Sequence, residues 1–510
     1  MNENARLVGG LGLFCLWTHL TNPYSRTIWP YTMRDLKKNV MAGVLCGLFL
    51  SSALRTYSAP VKPKRQVGTG IVVSLSDIHF NPFYDPSLIN SLIQSDYTKW
   101  QSIFSHSRIQ GYGTHSADVN YILLNSALQN IYLLAPHPDF IIISGDFLAH
   151  DFQETYTKLS GGSDPKAVDS FIDKTIAFVT RMIARRIPNT TVYPALGNND
   201  SYCGDYQIEP NGQFLRATAK TWKGLLKNKS NSMSFARTFP RNGSYSIISS
   251  NNRAHRLIVL NNTFFSINYK NACGDQTADP GSDEIKWLGV ELRKAAAARE
   301  KVWLVYHIPP GIDVFSTLHQ KQSSADQTPQ VIPFWQPVYN QQFVNLVTQY
   351  ATTIVGSFAG HMHMDTFELI QAANQNVVSI VHITPAISPL FGNNPAFELF
   401  GYNRRSFAPQ DYTAYYLDLS SAAAQRNAPI KWQKEYSFGE SYGQPVFAAT
   451  TLQAVHNGMP ANQSGYRTKY DTYYNVSNTA SPVVGPTNWR AYWCGMTNLT
   501  VAQYLSCVGR

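Results

Sequence analysis

Five segments of the chain end in side chains that bind metal ions or transfer protons. They are Asp77-Ile78-His79, Gly145-Asp146 followed by His150, Gly197-Asn198-Asn199-Asp200, His307, and Gly360-His361-Met362-His363. Carboxylate oxygens, amide oxygens and imidazole nitrogens are the ligands that divalent metals take in hydrolytic sites. Together the segments offer enough ligands for two neighbouring ions. We therefore predict a centre for two divalent metal ions.

Each of these segments follows a short apolar run. The runs cover 71–75, 141–143, 191–196, 302–306 and 354–359, and runs of this length bounded by Gly or Pro are typical of buried strands. Helical spacing of apolar residues over 118–134, 167–187 and 283–299 predicts helices, the third with Ser282 as N-cap. Strands that alternate with helices indicate an α/β fold. Such folds place ligands at the carboxyl ends of their strands.

The ordered set Asp-x-His, Gly-Asp, Gly-Asn-x-Asp, His and Gly-His-x-His resembles the calcineurin-like metallophosphoesterase superfamily. Ser76-Asp77-Ile78-His79, Gly145-Asp146-Phe147-Leu148-Ala149-His150-Asp151 and His307-Ile308-Pro309-Pro310-Gly311 are similar to the acid sphingomyelinase-like phosphodiesterase branch. The resemblance spans about 70–419. It implies a four-layer α/β/β/α sandwich. After residue 419 the metal-binding strand pattern stops, and amphipathic character over 489–505 predicts a small, mostly helical C-terminal subdomain.

The resemblance also implies a role for each residue. One metal would be held by Asp77, His79, Asp146 and His363, and the second by Asp146, Asn198, His307 and His361. A metal-bound hydroxide would attack phosphorus in line, and His150 would stabilise charge or protonate the leaving oxygen. Zinc is the metal expected for this branch, with iron or manganese as alternatives.

The sequence departs from the superfamily at Asn199, where a histidine is usual. Asparagine cannot titrate, so acid catalysis would fall to His150 or another group, or the substrate would have a good leaving group such as phosphate. The Gly-Asn-Asn-Asp variant also resembles endopolyphosphatase relatives. We therefore expect a phosphodiesterase, with hydrolysis of phosphoanhydrides in polyphosphate or nucleotides as the alternative. A third hypothesis is a non-catalytic metal-binding protein.

Composition sets further bounds. The 510 residues carry a net charge of +10 and are 44% hydrophobic, which indicates a globular protein rather than a disordered one. The positive charge favours anionic partners, namely phosphate-bearing small molecules and weak contact with an acidic membrane surface. No pattern predicts specific nucleic-acid binding or an obligate protein partner.

The six cysteines divide into an N-terminal two and an even four. For the four, the simplest pairing is Cys203 with Cys273 and Cys494 with Cys507, although sequence alone allows three connectivities. Disulfides point to an oxidising compartment. The absence of a Cys-x-x-Cys motif argues against a zinc ribbon or a thioredoxin-like site.

The N-terminal segment predicts export. Arg34, Lys37 and Lys38 precede an apolar run over 40–54, as in a signal peptide or an uncleaved signal anchor. We expect a signal and linker over 1–66, a catalytic domain over 67–419 and a C-terminal subdomain over 420–510. The protein would be secreted, periplasmic or in a lysosome-like lumen. Glycosylation would use sequons at Asn228, Asn242, Asn261, Asn462, Asn475 and Asn498.

Overall fold

A computed structural model describes residues 68–271, 273, 278–320, 330–424 and 431–509. The predicted signal or anchor lies outside these residues. Within them, no helix is both long enough and apolar enough to cross a membrane.

The strands form two six-stranded sheets. Sheet 1 has the order β12-β11-β10-β1-β2-β3 and sheet 2 the order β4-β5-β6-β7-β9-β8. The bounds are β1 Thr69–Leu75, β2 Phe140–Ile143, β3 Thr191–Pro194, β4 Tyr245–Ile248, β5 His255–Val259, β6 Lys301–Val305, β7 Ile354–Ala359, β8 Thr366–Gln371, β9 Val377–Ile383, β10 Ala396–Asn403, β11 Pro409–Tyr416 and β12 Gln433–Ser437.

The five predicted strands are β1, β2, β3, β6 and β7. Strands β1, β2 and β3 pair in parallel, with Leu75 opposite Ile143 and Ile143 opposite Pro194. Strands β6 and β7 are also parallel. Parallel pairing in this register brings the carboxyl ends of neighbouring strands to one edge of each sheet. The two sheets pack through aromatic side chains, such as Phe140 of β2 against Trp303 of β6 at 5.4 Å between ring centroids.

Helices cover the sheets and complete the α/β architecture. On sheet 2, two of them, α8 and α10, pack on each other and on its strands. The bounds are α1 Ile89–Gln94, α2 Trp100–Phe104, α3 Tyr121–Leu134, α4 Phe152–Ser160, α5 Pro165–Arg186, α6 Gln213–Trp222, α7 Lys229–Asn242, α8 Pro280–Ala297, α9 Val314–His319, α10 Pro337–Gln349, α11 Leu419–Ala424, α12 Phe438–Tyr442, α13 Ala449–Gly458, α14 Tyr466–Tyr473, α15 Trp489–Gly495 and α16 Val501–Val508.

Two predicted helix starts are wrong. The side chain of Asp279, not Ser282, caps α8, and it accepts a hydrogen bond from the Ser282 backbone N–H. Pro280 then occupies the first helical turn, where its missing N–H costs nothing. Helix α3 begins at Tyr121 after the N-cap Asn120, so Asp118 lies in the preceding loop. The remaining predicted helix, over 167–187, corresponds to α5 and agrees with it within two residues at each end.

The C-terminal region is mostly helical, as predicted, but its one described strand belongs to sheet 1. Strand β12 pairs with β11 at the edge of that sheet. The disulfides Cys203–Cys273 and Cys494–Cys507 confirm the simplest cysteine pairing. Among the sequons, Asn261 and Asn475 are buried, which removes them as glycosylation sites.

Candidate metal centre

The predicted site residues come together where the carboxyl ends of both sheets meet. Asp77 and His79 follow β1, Asp146 follows β2, and Asn198 follows β3, all from sheet 1. Sheet 2 contributes the histidines after β6 and β7, which are His307, His361 and His363. All seven candidate ligands lie on loops directly beyond buried strands.

The backbone turns sharply at these ligands. Asp77, His79, Asp146, His361 and His363 all have positive φ, between 40° and 72°. This left-handed conformation is unfavourable for residues other than glycine, and it clusters at functional sites where the surrounding fold compensates its cost. The strain thus turns each side chain back towards one point.

One glycine permits the close approach of two of these loops. A Cβ atom at Gly197 would lie 2.0 Å from Asp146 Oδ1, far inside van der Waals contact. Only glycine fits beside this carboxylate.

The ligating atoms are mutually close. His79 Nε2 lies 3.1 Å from His363 Nε2 and 3.4 Å from Asp146 Oδ2. His307 Nε2 lies 3.1 Å from the same oxygen, Asp146 Oδ2. Histidine nitrogens from both sheets therefore approach one oxygen of Asp146, the residue predicted to bridge the two ions. His150 lies beside them, its ring stacked on His79 at 4.1 Å between centroids.

The hydrogen bonds of the histidines fit metal ligation. The Nδ1 atoms of His79, His307 and His363 lie 2.9, 2.7 and 3.3 Å from the backbone carbonyl oxygens of Leu148, Ser144 and Ser388. An Nδ1–H that donates to a carbonyl leaves Nε2 without a proton, with its lone pair free for a metal. All three Nε2 atoms face the carboxylates at the centre.

The charges of the centre favour a bound cation. Burial opposes protonation of His79, but Asp146 and the other nearby carboxylates outweigh it and raise the pKa of His79 to about 10. His363 and His361 behave differently, because burial and neighbouring histidines lower the pKa of each to about 3. The buried carboxylates of the centre attract positive charge, and a metal ion competes with protons for the same ligand atoms.

Asn199, at the position where the superfamily usually has histidine, contacts the central carboxylate. Its backbone N–H donates to Asp146 Oδ1 and its side-chain amide donates to Asp146 Oδ2, both at 2.9 Å. Asn199 therefore fixes the central carboxylate. It does not line the cavity described below, so it is no substitute for a proton donor.

Three polar residues near the centre were not singled out as site residues. Asp118 accepts hydrogen bonds from the backbone N–H of His150 at 2.9 Å and from its Nδ1 at 3.1 Å. Asp205 and Tyr206 contact Asn198 and His361. In the sequence, the feature that could have indicated Asp205 and Tyr206 is the density of polar residues between Asn198 and Gln207. No periodic pattern indicates any of the three residues.

A cavity of about 260 Å³ opens onto the centre. Its polar wall includes Asp146, His150, Asn198, Asp205 and Asp313. The rest of the lining is largely apolar and aromatic and includes Phe315, Phe334, Met362, Met364, Phe391, Tyr474 and Val483. Among the described residues that line the cavity there is no lysine or arginine. The lysines and arginines that the structure describes therefore lie elsewhere.

Two sheets that deliver histidine, aspartate and asparagine side chains to one buried point define a metal-dependent phosphoesterase. The chain belongs to the calcineurin-like phosphoesterase family, whose model matches residues 72–365, more than half of its length. A second family model, the acid sphingomyelin phosphodiesterase C-terminal region, matches residues 371–510.

Named relatives agree with this assignment. The chain is 27% identical over 407 residues to the human acid sphingomyelinase-like phosphodiesterase 3b, with 78% of this chain and 82% of that protein covered. It is 26% identical to the cyclic GMP-AMP phosphodiesterase SMPDL3A of Rattus norvegicus, with 86% and 91% covered. The sphingomyelinase phosphodiesterase D of Dictyostelium discoideum is also 26% identical, with 79% and 87% covered. The protein is thus a hydrolase of phosphoric esters of the acid sphingomyelinase-like type.

Proposed function

We propose that the protein hydrolyses a singly charged phosphodiester at a dinuclear metal centre. Asp77, His79, Asp146 and His363 hold the first ion, and Asp146, Asn198, His307 and His361 hold the second. The observation that carries this proposal is the position of Asp146, with His79 Nε2 at 3.4 Å and His307 Nε2 at 3.1 Å from the same oxygen. When bound, the two ions would polarise the phosphoryl group and activate a water molecule.

His150 is the group that we assign to proton transfer. It lines the cavity, and 27% of its side chain is exposed, so a substrate oxygen can reach it. Asp118 accepts from Nδ1, which directs Nε2 away from this carboxylate and holds the ring against His79. A histidine held in this way can donate a proton to a leaving oxygen.

The charge of the cavity favours a diester over a phosphoanhydride. Polyphosphate and nucleoside triphosphates carry several negative charges, and proteins bind such groups with arginine guanidinium or lysine ammonium groups. The described cavity lining has neither, and it adds the carboxylates of Asp205 and Asp313. A substrate with one negative charge and apolar or aromatic substituents suits this wall better.

The donor set supports zinc. Four of the seven proposed ligands are imidazoles, which suit zinc and also iron, while manganese prefers oxygen-rich sites. The two disulfides support a secreted, periplasmic or lysosome-like location, since disulfides persist in oxidising compartments. Metal analysis of protein secreted by its native host tests both statements, and recovery of the chain only from cytosol would contradict the location.

The experiment is a comparison of substrates with reconstituted protein. Turnover is measured as release of p-nitrophenol from bis-p-nitrophenyl phosphate, of phosphocholine from sphingomyelin, and of phosphate from ATP and polyphosphate, with and without zinc. We expect metal-dependent turnover of the diesters, its loss in Asp146→Asn, and wild-type activity in Asp164→Asn, which removes a surface carboxylate.

The possible outcomes separate the hypotheses. Preference for ATP or polyphosphate over both diesters would support the anhydride hydrolase. Two bound metal ions without turnover of any of the four substrates would contradict an enzyme of this class and support a binding role.

A further inference from the structure

The proposed ligands differ in what holds them. The three histidines described above have backbone carbonyl partners for Nδ1. Two other ligands, Asn198 and His361, are held by side chains of a single loop. Asn198 Nδ2 donates to Asp205 Oδ1 at 2.6 Å, and His361 Nε2 lies 3.2 Å from the hydroxyl of Tyr206. Both of these ligands belong to the second metal.

The contact with Asp205 decides which end of the Asn198 amide faces the centre. An asparagine ligates through its oxygen, and its two ends are similar in shape, so a partner must select the orientation. The carboxylate accepts from Nδ2, and Oδ1 is thereby placed 2.9 Å from His307 Nε2. A charge-assisted hydrogen bond of this kind also draws electron density towards the ligating oxygen.

The contact with Tyr206 selects the tautomer of His361, that is, which ring nitrogen carries the proton. When Nε2–H donates to the tyrosine oxygen, Nδ1 carries no proton and is the nitrogen available to a metal. A neutral ring with one bare nitrogen is the form that a metal binds.

The loop that carries both residues is anchored on two sides. The Tyr206 backbone N–H donates to the Asn198 carbonyl oxygen, and the Tyr206 carbonyl accepts from the Lys270 N–H, both at 3.0 Å. Cys203, two residues before Asp205, forms the disulfide with Cys273. The loop is therefore tied both to the ligand segment and to the segment that follows β5.

We propose that Asp205 and Tyr206 are positioning residues for the second metal ion. They orient Asn198 and His361, and neither acts on the first ion, whose histidines have backbone partners. This inference rests on the proposed function, because it takes the ligand assignment as given. It makes the affinity of the second ion depend on a loop that contributes no ligand of its own.

The test measures zinc binding rather than activity. Protein stripped of metal is titrated with zinc against a chromophoric chelator, and bound zinc is counted by mass spectrometry. In Asp205→Ala and Tyr206→Phe we expect the second ion to bind about 10- to 100-fold more weakly and the first with unchanged affinity. Asp205→Asn keeps an acceptor for Asn198 and should lose less affinity than Asp205→Ala.

Two controls make the result specific. Asp313→Ala removes another carboxylate from the same cavity, one whose partner is the Ser316 backbone N–H, and it should leave both affinities unchanged. Thermal unfolding of the metal-free variants checks that the fold is retained. If Asn198→Ala loses the second ion while Asp205→Ala and Tyr206→Phe keep wild-type affinity, the inference is wrong and the proposed function stands. A wild-type protein that binds fewer than two ions overturns the proposed function and the inference with it.

Discussion

Replacing Asp118 by asparagine tests the assignment of His150 directly. In the wild type, the Ser388 hydroxyl donates a hydrogen bond to Asp118 Oδ1 at 3.0 Å. The substitution is isosteric, and the amide oxygen of asparagine can still accept this hydrogen bond. What it removes is the negative charge 3.1 Å from His150 Nδ1. If His150 donates a proton to the leaving oxygen, the variant should weaken this step, because the protonated ring loses its counter-charge.

The size of the effect follows from the geometry. Two unit charges 3.1 Å apart attract by about 5 kcal/mol at an effective dielectric constant of about 20. The 27% exposure of His150 screens this attraction, and the amide oxygen retains part of the hydrogen bond. Charge-assisted hydrogen bonds contribute about 1.5–3 kcal/mol, which corresponds to a decrease in kcat of about 10- to 100-fold.

Burial by itself would raise the pKa of Asp118, but the hydrogen bond and positive charge of His150 outweigh it and lower that pKa to about 2. The carboxylate is therefore ionised throughout the range of a practical assay. Its replacement by asparagine therefore removes a negative charge from beside His150 at every assay pH.

The assay compares two diesters that differ in leaving group. A p-nitrophenolate leaves without help from an acid, whereas an alkoxide needs a proton. We expect Asp118→Asn and His150→Ala to reduce kcat strongly for an alkyl diester and weakly for bis-p-nitrophenyl phosphate. Asp151→Asn, which removes the adjacent carboxylate from a position that tolerates asparagine at φ 49°, should behave as wild type. Equal losses with both substrates would refute proton donation by His150.

Two further predictions concern packing and pH. Gly197→Ala places a Cβ 2.0 Å from Asp146 Oδ1, so displacement of that carboxylate should reduce kcat by about 100-fold. Gly162→Ala, with its nearest atom at 4.0 Å, should have no effect, and activity of Gly197→Ala within a few-fold of wild type would contradict the bridging position. Burial raises the pKa of Glu284 from 4.5 to about 8. The unfolded chain therefore loses this proton first, and stability falls as pH rises from about 4.5 to 8. In urea unfolding, Glu284→Gln should lessen that fall by up to a few kcal/mol, whereas exposed Glu154→Gln should keep the wild-type slope, and equal slopes for wild type and Glu284→Gln would contradict the assignment.

The strands and their ligands were predictable because their signals are local. A buried parallel strand is a short apolar run with a turn residue at its end, and its ligand follows within a few positions, as His307 follows Val305. The order of residue types along the chain then identified the family. The candidate metal ligands and the α/β class both follow from features that lie within a few residues of one another along the chain.

Net charge is a property of the whole chain and does not indicate where in the fold the charged residues lie. The value of +10 predicted anionic partners correctly in general terms, yet the described cavity lining carries carboxylates and no lysine or arginine. The composition of this lining is visible only in the folded arrangement, and the proposal of a singly charged diester rests on it.

Residue types and spacing along the sequence determined which side chains could bind two metals and which strands carry them. Tertiary structure decided what supports those side chains. Asp118 reaches His150 across 32 positions, and Tyr206 reaches His361 across 155. Asn199, the apparent defect in the motif, holds Asp146 across 53. Such contacts depend on how loops from different strands meet at the sheet edges, and no periodic pattern encodes them, since each is set by packing that involves the whole fold.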